Sequence, residues 1–206
     1  MFFKKKKSFS LEGIDKGHYN ITYKNIPCLK CPFDYVIYQM IIQEVQPDLI
    51  IEIGTNMGGS TLYLADLLEL QGKGVIHSID IVDECSETVK NHSRINLFYD
   101  GWQKYNIENA RSFRNILVIE DSSHQYKNTL EAIKKFSPLV SINSYLIVED
   151  GIINELGRAK EFEGGPVKAI EEFLDQNKNF NLSDKWLNFF GESATFNTKG
   201  YLKRIK

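Results

Sequence analysis

The chain has 206 residues and carries 25 Lys and Arg against 27 Asp and Glu, a formal charge of −2, with 42% hydrophobic and 25% charged residues. That composition suits one globular domain with a sizeable core and excludes disordered and collagen-like classes. The near-neutral balance supplies no basic field for phosphate neutralisation, so nucleic acid is not expected as a partner.

The longest apolar run, Leu49-Ile50-Ile51 with Ile53 after Glu52, is far below the roughly 20 residues of a membrane span. Met1-Phe2-Phe3 followed by Lys4–Lys7 puts charge after the apolar residues, which is not a secretory signal; a solvated arm is expected. Three cysteines do not make a disulfide framework. Cys28-x-x-Cys31 lacks a second pair or a finger-spaced histidine, so free thiols in a reducing cytoplasm are expected.

Residues 1–32 read as an irregular, polar-aromatic arm and substrate-side segment, and residues 33–206 as the main domain. From Phe33 to Val45 apolar residues recur at helical spacing until Gln46-Pro47. Asp48–Ile53 is a short β-branched run suited to a parallel strand buried on both faces. A helix follows over Ser60–Leu70, with Ser60 placed to cap it. Strands are expected at Val75–Ile81, Ile95–Tyr99, Ile116–Ile119 and Tyr145–Val148, and helices over about Tyr126–Phe136 and Val167–Asn177. Two runs, Trp186–Phe190 and Tyr201–Ile205, suggest a terminal antiparallel pair. Alternating strand and helix predicts an α/β fold: a doubly wound, mostly parallel sheet with helices on both faces.

In such sheets ligands bind beyond the carboxyl ends of the strands. Strand one ends in Glu52-Ile53-Gly54-Thr55-Asn56-Met57-Gly58-Gly59-Ser60, where glycines allow a sharp turn and close approach to a ligand beside a helix N-terminus. The spacing is not G-x-G-x-x-G, and Glu52 is placed to pair with a cationic group. Asp80, ending strand two, suits both ribose hydroxyls of a nucleoside cofactor, or a simple surface loop. Strand four ends in Glu120-Asp121-Ser122-Ser123-His124 and strand five in Glu149-Asp150. If Asp121, Glu149 and Asp150 converge they need a cation between them, and all-oxygen ligation favours Mg²⁺; singly, each has a blander role as a helix cap or a solvated strand end. His124 is a candidate general base. Tyr19, Tyr23, Trp102 and Tyr126 are aromatic candidates for stacking on a sugar.

Several segments together resemble the cephalosporin hydroxylase and rhamnosyl O-methyltransferase family. They are Pro32-Phe33-Asp34 through Tyr38-Gln39, Pro47–Thr55, Gly58-Gly59-Ser60, Asp121-x-x-His124, Val148-Glu149-Asp150, Gly165-Pro166 with Ala169–Leu174, and Thr195 with Gly200–Arg204. The resemblance implies that residues 33–206 form a class I, Rossmann-like methyltransferase domain using S-adenosylmethionine. It implies cofactor contacts from Glu52, Gly54, Thr55, Gly59, Ser60 and Asp80, with Asp121 counted among them too. By likeness to macrolide-sugar O-methyltransferases, Asp121, Glu149 and Asp150 become magnesium ligands and His124 the base. Departures are Tyr99-Asp100-Gly101-Trp102, where the family tends to a Gly-Asp-Ser-like turn, and the extra acid Glu120. The expected activity is Mg-dependent O-methylation of a saccharide hydroxyl in capsule, lipopolysaccharide or natural-product glycans. Methylation of a non-sugar hydroxyl and a non-catalytic cofactor-binding partner are the alternatives. Nothing supplies a facial triad for iron. A homo-oligomer stays open.

Overall fold

The computed structural model describes residues 10–192 and 194–206; the lysine run expected to be a solvated arm lies outside this range. The segment from residue 10 through 32 is more ordered than its composition suggested. It forms a helix α1 (Leu11–His18), capped by the Ser10 hydroxyl on Gly13 N, and a two-stranded hairpin of β1 (Thr22–Tyr23) and β2 (Ile26–Pro27). Lys24 and Asn25 take left-handed φ at the hairpin turn, a conformation the sequence pattern did not announce.

The core elements are α2 (Pro32–Val45), β3 (Leu49–Ile53), α3 (Gly59–Gln71), β4 (Val75–Ile79), a short α4 (Glu87–Lys90), β5 (Ile95–Phe98), β6 (Ile116–Glu120), α5 (Tyr126–Phe136), β7 (Tyr145–Val148), α6 (Gly165–Gln176), β8 (Phe180–Leu182), α7 (Asp184–Leu187) and β9 (Tyr201–Arg204), of which α4, β8 and α7 were not expected. The strands form a seven-stranded sheet in the order β5-β4-β3-β6-β7-β9-β8. The first five are parallel, and β9 runs antiparallel to both β7 and β8. This is the class I methyltransferase arrangement expected from the sequence.

The terminal pair differs by one element from the expected one. Residues 186–190 are not a strand: Trp186 lies in α7 and is buried beside Tyr145, ring centroids 6.4 Å apart. The partner of β9 is β8, with Phe180 opposite Arg204 and Leu182 opposite Leu202. Asn179 before it and Asn181 within it hide so short a strand, whereas the apolar run from Trp186 imitates one.

Strand alternation sorts the core into two layers. Leu49, Ile51 and Ile53 pack with Ile133 and Phe136 of α5 and Ile170 and Phe173 of α6. Ile50 packs on the opposite face with Ile41 of α2 and Leu62 and Leu68 of α3. The same alternation continues past the strand ends and decides where each acidic side chain points. Because the chain leaves β3 toward β4 and later returns to β3's other side at β6, the crevice between the ends of β3 and β6 is the topological switch point.

Candidate active site

A cavity of about 750 Å³ opens there, lined by the glycine loop, Asp80, Asp121 and His124 and walled outside by α1 and the 150–162 segment. Gly54 is indispensable to its floor. Its φ is +104°, and a Cβ there would lie 1.9 Å from the Asp121 carbonyl oxygen. Gly58, at φ +83°, caps α3 in place of Ser60. Gly59 serves packing instead of turning: a Cβ would meet the Pro27 carbonyl at 2.1 Å, so this glycine lets β2 lie on the loop.

Ser60 turns under the loop to Glu52. Having the parity of Ile50, Glu52 faces α3, fully buried, and accepts hydrogen bonds from Ser60 Oγ (2.6 Å), Thr61 Oγ1 (2.5 Å) and Ser78 Oγ (2.8 Å). It supports the loop from below and is not part of the cavity wall, whereas Gly54, Thr55, Gly59, Ser60, Asp80 and Asp121 are. Three hydroxyls satisfy it, and no salt bridge reaches it among the described residues.

Asp80 stands where the sequence put it. Its Oδ2 accepts from the backbone N–H groups of Thr55 and Asn56, both at 2.8 Å, and its Oδ1 from Ile81 N at 2.7 Å. The carboxylate thus joins the end of β4 to the glycine loop of β3.

The rim beyond β6 and β7 differs from expectation. Asp121, His124 and Asp150 offer ligand atoms that all lie within 4.8 Å of one another, and His124 Nε2 is 3.2 Å from Asp150 Oδ2. Glu149 is not in that group. It turns to the α2 face, where its Oε1 takes Lys30 Nζ at 2.5 Å and the Tyr38 hydroxyl at 2.6 Å. Lys30 Nζ also lies 2.9 Å from Asp121 Oδ2, and its side chain is only 3% exposed. Burial pulls this lysine's pKa down, but Asp121, Glu149 and Glu52 outweigh it and hold the ammonium well above its ordinary range. Burial, and then the charge of Asp121, push Glu149 up to about 8 against the opposing pull of Lys30.

Behind Glu149 a polar network runs inward. Asn197 Nδ2 donates to the hydroxyls of Tyr38 (3.2 Å) and Tyr201 (3.1 Å), and Tyr201 donates to Asp34 Oδ1 at 2.9 Å. Asp34 also accepts from Thr195 Oγ1 and Phe196 N. Burial raises its pKa to about 7. Asp34, Tyr38, Thr195 and Tyr201 all belong to the segments that carried the family resemblance.

A family model, rhamnosyl O-methyltransferase/CmcI, matches residues 15–205. The chain belongs to that family. It is 32% identical over 195 residues to the rhamnosyl O-methyltransferase of Mycobacterium leprae (strain TN), covering 89% of this chain and 82% of that protein. With the enzyme of the same name from Mycobacterium tuberculosis (strain ATCC 25618 / H37Rv) it shares 33% identity over 168 residues, 77% of this chain and 68% of that one. A solved structure of CmcI described as its Mg-SAM form superposes with a TM-score of 0.68, covering 91% of this chain and 78% of the other, at 20% identity; that likeness establishes the fold. As a family member the chain is an S-adenosylmethionine-dependent O-methyltransferase.

Other features of this family member divide cleanly. Tyr19 and Trp102 line the cavity. Tyr23 is held by Asp66 at 2.7 Å and Tyr126 by Glu172, both outside it. Cys28, Cys31 and Cys85 are free and buried, as expected. No helix among the described residues is long and apolar enough to cross a membrane. Lys30 and Asn197 escaped the sequence reading, and Tyr38 entered it only within a segment of the family resemblance, with no role. The signal that could have found them was strand parity: adjacent residues at a strand end, Glu149 and Asp150, cannot both face the same point.

Two residues at the rim hold unusual backbone. His124 and Asp150 have φ of +57° and +58°, left-handed without being glycine. Such strain persists where surroundings overdetermine it and clusters at functional sites.

Proposed function

We propose that the chain transfers the methyl group of S-adenosylmethionine to a hydroxyl of a sugar or glycosylated molecule, with Asp121 and Asp150 holding Mg²⁺ and His124 acting as base. The observation that supports this most is the convergence of Asp121, His124 and Asp150 on one cavity with the glycine loop and Asp80. The site suits both groups. The glycine loop and Asp80 line one cavity with the rim acids, which suits a nucleoside cofactor beside them, and two carboxylates beside an imidazole are a donor set a divalent ion accepts. When bound, S-adenosylmethionine supplies an already activated methyl, and Mg²⁺ supplies positive charge that lowers the pKa of a neighbouring hydroxyl.

The chain's residues do the rest. Asp80 holds the loop N–H groups of Thr55 and Asn56 in place and presents its carboxylate to the ribose side of the cavity. His124 takes the acceptor's proton. Asp150, 3.2 Å from Nε2, orients the imidazole. Buried Trp102, Ile152 and Ile153 on the wall keep water from the reacting oxygen. Residues 10–32 cover the acceptor side of the rest of the domain, with His18 and Tyr19 on the cavity wall facing the same space as Arg158 and Phe162. An aromatic and polar wall suits a saccharide from a capsule, lipopolysaccharide or natural product. Three free thiols fit a cytoplasmic enzyme.

The test is incubation with S-adenosylmethionine, Mg²⁺ and a panel of rhamnosides and other sugar diols, read by mass spectrometry. Gain of one methyl that disappears with EDTA is expected. Cofactor binding without methyl gain on any sugar would overturn the acceptor, and EDTA-insensitive turnover would overturn the ion.

A further inference from the structure

Lys135 stands in the last turn of α5 and pairs with no carboxylate among the described residues, unlike its neighbour Lys134, which reaches Glu172. Its ammonium donates instead to three main-chain carbonyls: those of Trp102 at 2.9 Å, Gln103 at 2.8 Å and Tyr105 at 2.9 Å. An ammonium has three donors, so the set is complete. The lysine is half-buried, and this desolvation pulls its pKa below the ordinary value. Carbonyl oxygens alone compensate it.

The turn that Lys135 holds belongs to the cavity. Gly101 N donates to the Asp80 carbonyl at 3.0 Å, and a Cβ at Gly101, where φ is +78°, would lie 2.9 Å from Ile81 Cγ2. The turn is thus laid on the end of β4, and Trp102 and Gln103 line the cavity together with Asp80 and Ile81. Its far end is fixed by Tyr105, whose hydroxyl meets His77 Nδ1 at 2.6 Å and whose ring centroid lies 5.6 Å from that of Phe136. Between these anchors Lys135 ties the main chain to α5, and its own side chain lines no part of the cavity.

We propose that Lys135 is a positioning residue for the cofactor: by gripping the carbonyls of Trp102, Gln103 and Tyr105 it fixes the wall beside Asp80 and so sets the affinity for S-adenosylmethionine without touching it. The proposal rests on the placement of the ribose beside Asp80 given above. Its physical content is preorganisation. A turn that has lost its three charge-assisted hydrogen bonds samples other arrangements, and a ligand that needs one of them binds more weakly by the fraction of time that one is present.

The probes are S-adenosylhomocysteine and 5′-methylthioadenosine, which lacks the amino-acid end, each titrated by calorimetry into the purified full chain. Lys135→Met, which keeps the stem and loses the donors, should raise both dissociation constants about tenfold, as for a turn correctly arranged about a tenth of the time. Lys135→Arg, whose fork of donors can span the same carbonyls, should bring both back to within about threefold of wild type. Lys134→Met removes the same charge one residue away and should stay within about twofold. Acrylamide should quench tryptophan emission more strongly in Lys135→Met, and that increase should be absent in a Trp102→Phe background. Should Lys135→Met melt below the assay temperature, Lys135→Gln takes its place, with a loss of about threefold expected from an amide that replaces only part of the grip. Unchanged constants in the folded variant, an equal loss in Lys134→Met, a loss that Lys135→Arg does not repair, or a loss confined to S-adenosylhomocysteine overturns the proposal. Asp80→Ala separates it from the reading beneath it. If Asp80→Ala weakens both probes and Lys135→Met weakens neither, the role of Lys135 alone falls; if Asp80→Ala weakens neither, the placement of the ribose falls and the proposal with it.

Discussion

The two sides of the crevice are built differently. On the cofactor side, Glu52 and Asp80 commit their oxygens to neutral donors from the adjoining turn and strands: hydroxyls of Ser60, Thr61 and Ser78, and backbone N–H groups of Thr55, Asn56 and Ile81. On the acceptor side, Asp121 and Glu149 are held by a charged side chain 91 and 119 residues away in sequence. The first side is a turn stabilised from within. The second is assembled by charge pairing across the whole domain, and there Lys30, Asp121 and Glu149 all titrate far from their ordinary ranges.

Gly54 is the seam, since it belongs to the cofactor loop and its missing Cβ is what admits the Asp121 carbonyl. Gly54→Ala should therefore break both sides together. Left-handed strain of about 1–3 kcal/mol adds to the steric clash. The melting temperature should fall by roughly 10 °C or the soluble yield be lost. A folded variant with normal cofactor affinity would show that the sides are not joined there.

His124→Ala should damage the acceptor side alone. Loss of the proposed general base should lower kcat by about 10²- to 10⁴-fold, while the dissociation constant for S-adenosylmethionine holds. Parallel loss of affinity would blur the division. Asp80→Ala should do the reverse: releasing the loop N–H groups removes charged hydrogen bonds worth about 1.5–3 kcal/mol, weakening the cofactor tenfold or more, with kcat at saturation largely kept.

The smallest effect concerns the network behind the rim. Asp34's pKa is raised by burial to about 7 from an ordinary 3.8, so the folded chain holds a proton that the unfolded chain releases. Its contribution to stability is fully present below the unfolded value and is lost as pH rises through about 7. Asp34→Asn should flatten the decline in melting temperature between about pH 4 and 7. An unchanged slope would mean that Asp34 is ionised throughout.

The same division explains what the sequence disclosed. The parallel core strands, the glycine loop and Asp80 were legible because each depends on a local pattern: a continuous apolar run, a turn, a strand end. β8 was not, because Phe180-Asn181-Leu182 alternates over only three residues, too few to stand out, and Trp186 invited a strand where the chain forms a helix. The acids of β6 and β7 were correctly noticed and incorrectly gathered. Their spacing shows that they end neighbouring strands, but adjacent residues at a strand end face opposite sides, so Glu149 turns to the α2 face, where it meets Lys30 from a distant part of the chain. A lone lysine between two cysteines bears no local mark of a charge destined for burial.

The left-handed backbones of His124 and Asp150 bear on how this chain can evolve. Glycine at either position would relieve a conformational cost that a β-carbon imposes. Selection for thermal endurance alone would thus drift toward glycine at the two places where an imidazole and a carboxylate meet. A stabilised lineage could keep the sheet, the loop and the cavity and still lose the proton acceptor proposed here, becoming a durable container with no reaction inside it.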